Sequence, residues 1–459
     1  MLPFHKNGDK SECSNYRGIS LLNIAFKILE AIIVNRFKRF RDKVTREEQC
    51  GFRPGRSTID QIFNLRCLLQ NRHEYRRPTM VAFIDFKAAF DSVHRPTLYK
   101  LLAADGMSPK LVNMIKLLYE PSRSCVKINN SYSDTFDIHS GVRQGSILSP
   151  TLFNYCVDWV MEQALEEDSG VIFNNLEERF TDGDYADDIA VNEESEERMQ
   201  CLMDRIDRYG RKIGLHVSAP KTKIMQCCIS KIAKIYLDGG RPENVKCFNY
   251  LGSTISETGG IDREISCRIA KARSAFCRLN NLWRSEEVTL RTKMHIYNAA
   301  IRSVLLYGSN TWPAKMSDIK QLEVFENYCR RRILGITKSD RISNRAICAR
   351  TGHTTPLVDM LKFQRLSLLG HILRMGDDRN PRRLFTARPP KDWKRPRGRA
   401  FLTWSKLAVN DVEPFFRHVS MRRWKANSLE EIAEVAANRS EWRRICNMMA
   451  SAPPRVGVS

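Results

Sequence analysis

The sequence predicts an α+β fold that turns wholly helical towards its C-terminus, and three observations carry that prediction. Up to about residue 260, short β-branched and aromatic runs alternate with longer stretches of helical spacing. Beyond that point apolar residues recur at helical spacing only, with Lys and Arg between them. The chain has 459 residues, 42% hydrophobic and 28% charged. That is enough for roughly two to four domain-sized units, each with a buried core.

The elements follow in order. Residues 21–40 have apolar positions at helical spacing and form a helix. A basic Gly/Pro loop, QCGFRPGRST (49–58), leads to a second helix over 60–74. Pro78 bounds a strand, TMVAFIDF (79–86). Pro96 and Gly106 delimit a helix over 95–106, and LVNMIKLLYE (111–120) forms another. From Cys125 the pattern alternates, turns at Asn129-Asn130-Ser131, alternates again and ends in the loop SGVRQGS, a hairpin with a functional loop behind it. Ser149-Pro150 opens a long amphipathic helix over 149–167. Short strands follow around 171–174 and 185–191, then a helix over 195–213, with strand-like segments in 216–227 and 247–255. Glu193 to Glu197 start the 195–213 helix, where carboxylates suit the N-terminal dipole. Helical, basic stretches fill 261–284 and 290–308. Residues 374–399 hold ten Lys/Arg against three Asp, with four prolines, and read as an exposed basic linker before a short helical tail and a frayed end at 451–459.

A net charge of +23, with pI near 9.6, exceeds what solubility asks of a surface and points to a polyanion partner, nucleic acid first. The fourteen cysteines form no C-x-x-C and match neither a zinc ribbon nor a zinc knuckle. In so long a chain, without a secretion signal in MLPFHKNGDK, they read as reduced, mostly buried thiols. No apolar run approaches the ~18 residues of a membrane span. These readings place the protein in the nucleus or the cytoplasm.

Two acidic sites sit on strand-like segments. Asp85 ends VAFIDF, and Asp187-Asp188 lie in YADDIA, which reads as strand, tight turn, strand. On neighbouring strands, Asp85 and Asp187 are two carboxylates at close range, costly unless a cation neutralises them. Hard Mg²⁺ takes oxygen ligands of this kind, and two such ions activate a hydroxyl and stabilise a leaving pyrophosphate. Taken singly, Asp-Asp equally caps its own backbone in a turn, and Asp85 equally marks a hydrophilic strand end.

In order along the chain, NYRGISLLNIAFKILEAIIVNR, GFRPGRSTIDQI, AFIDFKAAFDSVHR, GVRQGSILSPTLFNYCVDWVM, YADD, GLHVSAPKTK and YLGSTI resemble the motifs of non-LTR retrotransposon reverse transcriptases, closest to the RTE-like branch. They cover about residues 3–256, and the later LLYGSNTW and LGHILRM resemble the region after the polymerase core. The resemblance implies a right-hand polymerase: fingers over 1–78, a palm with a ferredoxin-like antiparallel sheet over 79–258, a helical thumb over 259–340 and a basic C-terminal region over 341–459. It implies an RNA-directed DNA polymerase that attacks the α-phosphate of a dNTP with a primer 3′-hydroxyl. Its cofactors would be two Mg²⁺ ions, with Mn²⁺ a substitute, and its partners an RNA template and a DNA primer.

The same resemblance assigns residues. Asp85, Asp187 and Asp188 are the catalytic triad and metal ligands, with the Phe86 carbonyl assisting. Phe90 matches the steric gate against a ribose 2′-hydroxyl, though alone it reads as a core ring. Gln144 and Gly145 match the loop beside the dNTP; alone they are a hairpin exit. Arg17, and Lys6 with it, match contacts to the triphosphate, and Arg53 a contact to the template backbone; each alone is a solvated charge. Lys221 matches the lysine that protonates pyrophosphate, with Lys223 competing. Tyr250, Leu251 and Gly252 match the primer grip. Trp393 and Trp404 flank part of the basic run and offer stacking faces, with core packing the stronger reading of Trp404.

The sequence departs from the family in two ways. It opens at the first fingers motif, so the endonuclease domain that precedes the polymerase in full-length elements is expected to be absent. TDGD (181–184) stands where the family has an apolar or basic strand and reads as drift in a decaying copy. That leaves a second function open: an impaired relic acting only as a basic nucleic-acid-binding protein.

Overall fold

The structure, a computed structural model, describes residues 1–6, 8–337, 339–352, 355–398, 401–416 and 426–451. The end expected to fray lies, beyond Ser451, outside them. The chain divides into two compact units. The first comprises Met1–Gln61, Pro78–Ile172 and Glu177–Val245; the second comprises Ile62–Arg77, Phe173–Leu176 and Lys246–Ser459.

In the first unit the strand Thr79–Ile84 is the middle of a five-stranded sheet. The order is Asp182–Tyr185, Asp188–Glu193, Thr79–Ile84, Lys223–Cys227, Glu243–Val245. The first four run antiparallel, as a ferredoxin-like palm requires, and the last lies parallel to its neighbour. All six residues of Thr79–Ile84 are buried, which suits a β-branched and aromatic run paired on both edges. The helix Glu196–Lys212 packs on the sheet and on the helix Ser149–Ala164. That second helix is buried nearly all round, unlike the amphipathic helix its sequence predicts. The hairpin turns where expected, pairing Lys127–Ile128 with Ser131–Tyr132 through Asn129 at φ 53°.

One boundary differs from expectation. Glu193 does not start a helix. It is the buried last residue of its strand, and its carboxylate takes the Gly170 N–H at 3.0 Å and the Arg198 Nε at 2.9 Å. The helix starts after Ser195, whose hydroxyl caps the Arg198 N–H, with Glu196 and Glu197 in its first turn.

The long C-terminal part of the second unit opens with the hairpin Cys247–Tyr250 and Ser253–Ser256, and from Asp262 onward its regular elements among the described residues are helices. Its core gathers Phe276, Trp283, Tyr297, Trp312, Leu322 and Phe325. The expected linker is not loose. It carries the helix Asn380–Thr386 with Leu384 and Phe385 buried, and Asp392 and Arg395 pair with Arg77 (2.7 Å) and Glu74 (2.9 Å). Trp393 lies under Arg77, 4.8 Å from ring centroid to guanidinium, so one of its faces is already taken. Trp404 is core: it is 1% exposed and its Nε1 donates to the Asn310 carbonyl at 2.6 Å. No cysteine forms a disulfide, but only Cys50, Cys67, Cys156, Cys227, Cys329 and Cys446 are buried, fewer than the composition led us to expect. Among the described residues no helix is long and apolar enough to cross a membrane.

Candidate active site

The sheet brings the three aspartates to one end of its central strands. Thr79–Ile84 leads directly into Asp85, and its antiparallel neighbour pairs Ile189 with Ile84. One step further along that ladder stand Asp85 and Asp188. Tyr185 faces Asp188 across the adjoining hairpin, which leaves Ala186 and Asp187 as a two-residue turn. Such turns need a positive φ, and Ala186 supplies it at 59°.

Crowding shows in the proton affinities. Partial burial, then the charges of Asp187 and Asp85, push the Asp188 carboxyl up to about 6, although its side chain still reaches solvent. Asp187 is raised too, by burial first and then by Asp85, while Arg17 and Lys221 pull it back. Mutually repelling hard oxygen donors suit a divalent cation. The carboxylate oxygens do not all lie within 4.8 Å of one another as the side chains stand. Lys221 Nζ, 3.2 Å from Asp85 Oδ1, fills the place of positive charge there. Asp85, Asp187 and Asp188 can therefore hold an ion once Lys221 withdraws and the side chains rotate. Antiparallel pairing of 85–87 with 216–218 uses the Asp85 carbonyl and the Lys87 N–H, both at 2.8 Å, so the Phe86 carbonyl is not spent on it.

The acidic strand before the turn is where the sequence reading is overturned. Asp182 and Asp184 alternate along the edge strand, so both carboxylates share one face, and both are fully buried. Arg46 meets them there. Its Nη2 lies 2.9 Å from each carboxylate, and its Nε lies 2.9 Å from Asp158 on the helix Ser149–Ala164. Burial, and then the Asp182 charge, drive the Asp184 carboxyl well above the usual range. Burial pushes Asp182 up as well, but the Arg46 charge, with hydrogen bonds from Arg46, Asp184 and Thr181, holds it below the usual range. TDGD is thus a paired, buried network rather than drift, and the relic reading loses one of its two supports.

The loop 46–51 that carries Arg46 also lines the turn. The Cys50 N–H donates to the Asp184 carbonyl at 2.8 Å, and the Asp184 N–H to that of Glu48 at 3.1 Å. Gln49 Oε1 accepts the N–H groups of Ala186 and Gly51, each at 2.9 Å. Arg53 is turned inward, its Nη1 donating to the carbonyls of Arg46 (2.5 Å) and Gln49 (2.9 Å). That nitrogen supports the loop.

Other sequence candidates in the first unit have partners of their own. Phe90 is half-buried and stacks on Phe153, centroids 4.3 Å apart and planes 17° off parallel. Gln144 Nε2 donates to both oxygens of Asp91, at 3.0 and 3.2 Å, and its carbonyl accepts the Ser20 N–H at 2.7 Å. Gly145 has φ 106°, and a Cβ there would lie 2.7 Å from the Ser20 carbonyl oxygen, so only glycine fits. Asp91, which the motifs did not single out, is pushed up by burial and drawn back by Gln144, Lys6 and Arg17. Lys6 and Arg17 are themselves exposed. Lys223 is committed elsewhere, to Glu243 at 2.9 Å, which leaves Lys221 as the lysine at the aspartates.

In the second unit, Tyr250 is buried and Leu251 and Gly252 form a turn with φ 47° and 81°. Tyr307 donates to the Leu251 carbonyl at 2.9 Å, and Arg268 donates to that of Gly252. Glu264 takes the Arg268 Nε at 2.8 Å and the Thr254 N–H at 2.6 Å, while Arg66 reaches Ser253 at 3.0 Å. None of these four supports was legible from the motifs, because each lies on another element.

Residues 4–255 match the family Reverse transcriptase (RNA-dependent DNA polymerase), and the chain belongs to that family. Residues 275–307 match a domain of unknown function. The chain is similar to a probable RNA-directed DNA polymerase from transposon BS of Drosophila melanogaster, 27% identical over 355 residues that cover 72% of this chain and 38% of the relative. It is similar also to the RNA-directed DNA polymerase from mobile element jockey of the same organism, 26% identical over 73% of this chain and 37% of that one. It thus spans under two-fifths of the length of these relatives. Among solved structures, telomerase from Candida tropicalis aligns with 78% of this chain and 56% of its own at 13% identity and a TM-score of 0.36, too remote to carry an argument.

Proposed function

We propose that the chain is the polymerase of a non-LTR retroelement, extending a primer 3′-hydroxyl with dNTPs on an RNA template. The observation that carries this is the meeting of Asp85, Asp187 and Asp188 at one end of the central sheet in a chain of this family. Two Mg²⁺ ions, or Mn²⁺ in their place, would supply neutralising charge, a more acidic primer hydroxyl and a stabilised pyrophosphate. Asp85, Asp187 and Asp188 would hold them, with the Phe86 carbonyl.

The chain's own side chains do the remaining work. Gln144, anchored by Asp91, and Gly145 let backbone approach the incoming nucleotide. The Phe90 ring, backed by Phe153, excludes a 2′-hydroxyl. Arg17 and Lys6 offer charge to the triphosphate. Lys221 leaves Asp85 and brings the proton on its Nζ to the leaving pyrophosphate. Tyr250, Leu251 and Gly252 support the primer end. Positioning and charge neutralisation supply most of the rate in such a reaction.

Extension of oligo(dT) on poly(rA) with Mg²⁺ tests the proposal, with dNTPs and rNTPs run in parallel. The parent should give DNA product and Asp187→Asn none. No product from the parent, or equal product from the variant, refutes it.

A further inference from the structure

We propose that Arg46, with Asp158, Asp182 and Asp184, is a positioning centre that sets the geometry of the Asp187-Asp188 turn through Gln49. The inference rests on reading those two aspartates as metal ligands.

The turn needs outside support. Ala186 sits in the left-handed region at φ 59°, which an L-residue adopts only at a cost and keeps only where the surroundings impose it. The imposing contact is the Gln49 side chain, whose Oε1 takes the Ala186 N–H at 2.9 Å. Gln49 is completely buried, and so is Asp184 on the strand that runs into the turn. Backbone bonds on both sides of Asp184 tie that strand to the same loop.

Arg46 fixes the loop. Five hydrogen bonds anchor it: its backbone N–H and Nε reach Asp158, Nη1 and Nη2 reach Asp182, and Nη2 reaches Asp184, at 2.9 to 3.2 Å. One guanidinium thereby joins a helix, an edge strand and a loop. A planar, forked donor is required, because a lysine ammonium has three donors on one atom and cannot span them. Three carboxylates around one cation also explain why the cluster cannot drift: removing Arg46 leaves buried charge without a partner. The loop pairs along the outer edge of the sheet, so it also covers the backbone groups that an edge strand exposes.

A merely structural network would set stability alone. A positioning centre also sets metal affinity and rate, and this difference decides the test. Three variants are compared with the parent: Arg46→Lys, which keeps the charge and loses the fork; Arg46→Met; and Gln49→Met, which leaves every charge in place. Mn²⁺ binding is read by electron paramagnetic resonance without nucleic acid, single-nucleotide incorporation by rapid quench, and folding by thermal midpoint. Gln49→Met should fold, keep the KM for dNTP, bind Mn²⁺ about tenfold more weakly and incorporate on the order of 10²-fold more slowly, as an ~1 Å misplacement does. Arg46→Lys should rank between the parent and Arg46→Met in both readouts. Variants with lowered thermal midpoints but parental Mn²⁺ affinity and rate overturn the inference. A parent that binds Mn²⁺ but extends no primer overturns the polymerase reading alone, since the Mn²⁺ ranking still reports on the network. A parent that binds no Mn²⁺ overturns both.

Discussion

Gly51→Ala isolates the contact between the 46–51 loop and the aspartate turn, and its size follows from the structure. A Cβ on Gly51 would lie 2.9 Å from Gln49 Oε1, 3.0 Å from the Ala186 Cα and closer still to the Ala186 nitrogen, where ordinary contact begins at 3.4 Å. Neither side can retreat freely. The Gly51 carbonyl holds Asn154 Nδ2 at 2.5 Å, its N–H holds Gln49, and the Ala186 N–H holds the same Gln49 oxygen. Relief requires a shift of about 0.5–1 Å between loop and turn, and roughly 1 Å at a reacting centre costs on the order of 10²-fold in rate. That corresponds to about 2.7 kcal/mol on the barrier. Breaking one of the buried hydrogen bonds costs about 1–3 kcal/mol of stability, so the variant should fold with a lowered thermal midpoint. Single-turnover incorporation on a primed RNA template, at a temperature where circular dichroism shows both proteins folded, is the assay. A folded variant within threefold of the parent would refute the idea that this loop sets the turn.

Three further outcomes follow from the same geometry. Phe90→Ala removes a ring held in place by Phe153, and the preference for dNTP over rNTP should fall by about 10- to 200-fold; an unchanged ratio in competing single-nucleotide incorporation rejects the gate. Tyr307→Phe removes the hydrogen bond to the Leu251 carbonyl, about 1 kcal/mol, and should raise the KM for primed template without altering Mn²⁺ affinity; a parental KM assigns that turn another role. In metal-free protein Asp188 titrates at about 6 against an ordinary 3.8, so between those values the folded chain binds more protons than the unfolded one and stability falls as pH rises. Asp188→Asn should flatten that slope, read as the difference in thermal midpoint between pH 4.5 and 7.5 in chelator. Equal slopes in the two proteins would mean that Asp188 is not raised.

Much of the fold was legible because its signals are local. Thr79–Ile84 announces itself by β-branched and aromatic residues after Pro78, and the 127–132 hairpin by Asn-Asn between alternating runs. The aspartates were legible for a different reason: spacing along the chain matched an ordered set of motifs. Errors arose where a residue's meaning depends on a distant partner. Glu193 sits in a run of acids that looks like a helix start, but pairing opposite Met80, far earlier in the chain, makes it the end of a strand. The 374–398 segment looks exposed because prolines and charges usually are, but its ion pairs go to residues 74–77, about three hundred positions earlier.

Asp182 and Asp184 show what could have been drawn from sequence and what could not. Period-two spacing on an edge strand already placed both carboxylates on one face, and a strand entering a buried turn already placed that face inside. Two carboxylates buried side by side cannot both stay ionised without a cation, so the pattern called for a basic partner, a retained proton, or, as here, both. Which basic partner is another matter: Arg46 stands 136 and 138 positions away, in a loop whose nearby Arg53 and Arg56 have the same side chain. No local feature separates the three, since the choice is made by how the loop crosses the sheet edge. An acidic pair in an otherwise apolar strand is therefore better read as one half of an ion-pair network than as damage, and its other half belongs to whatever element covers that edge.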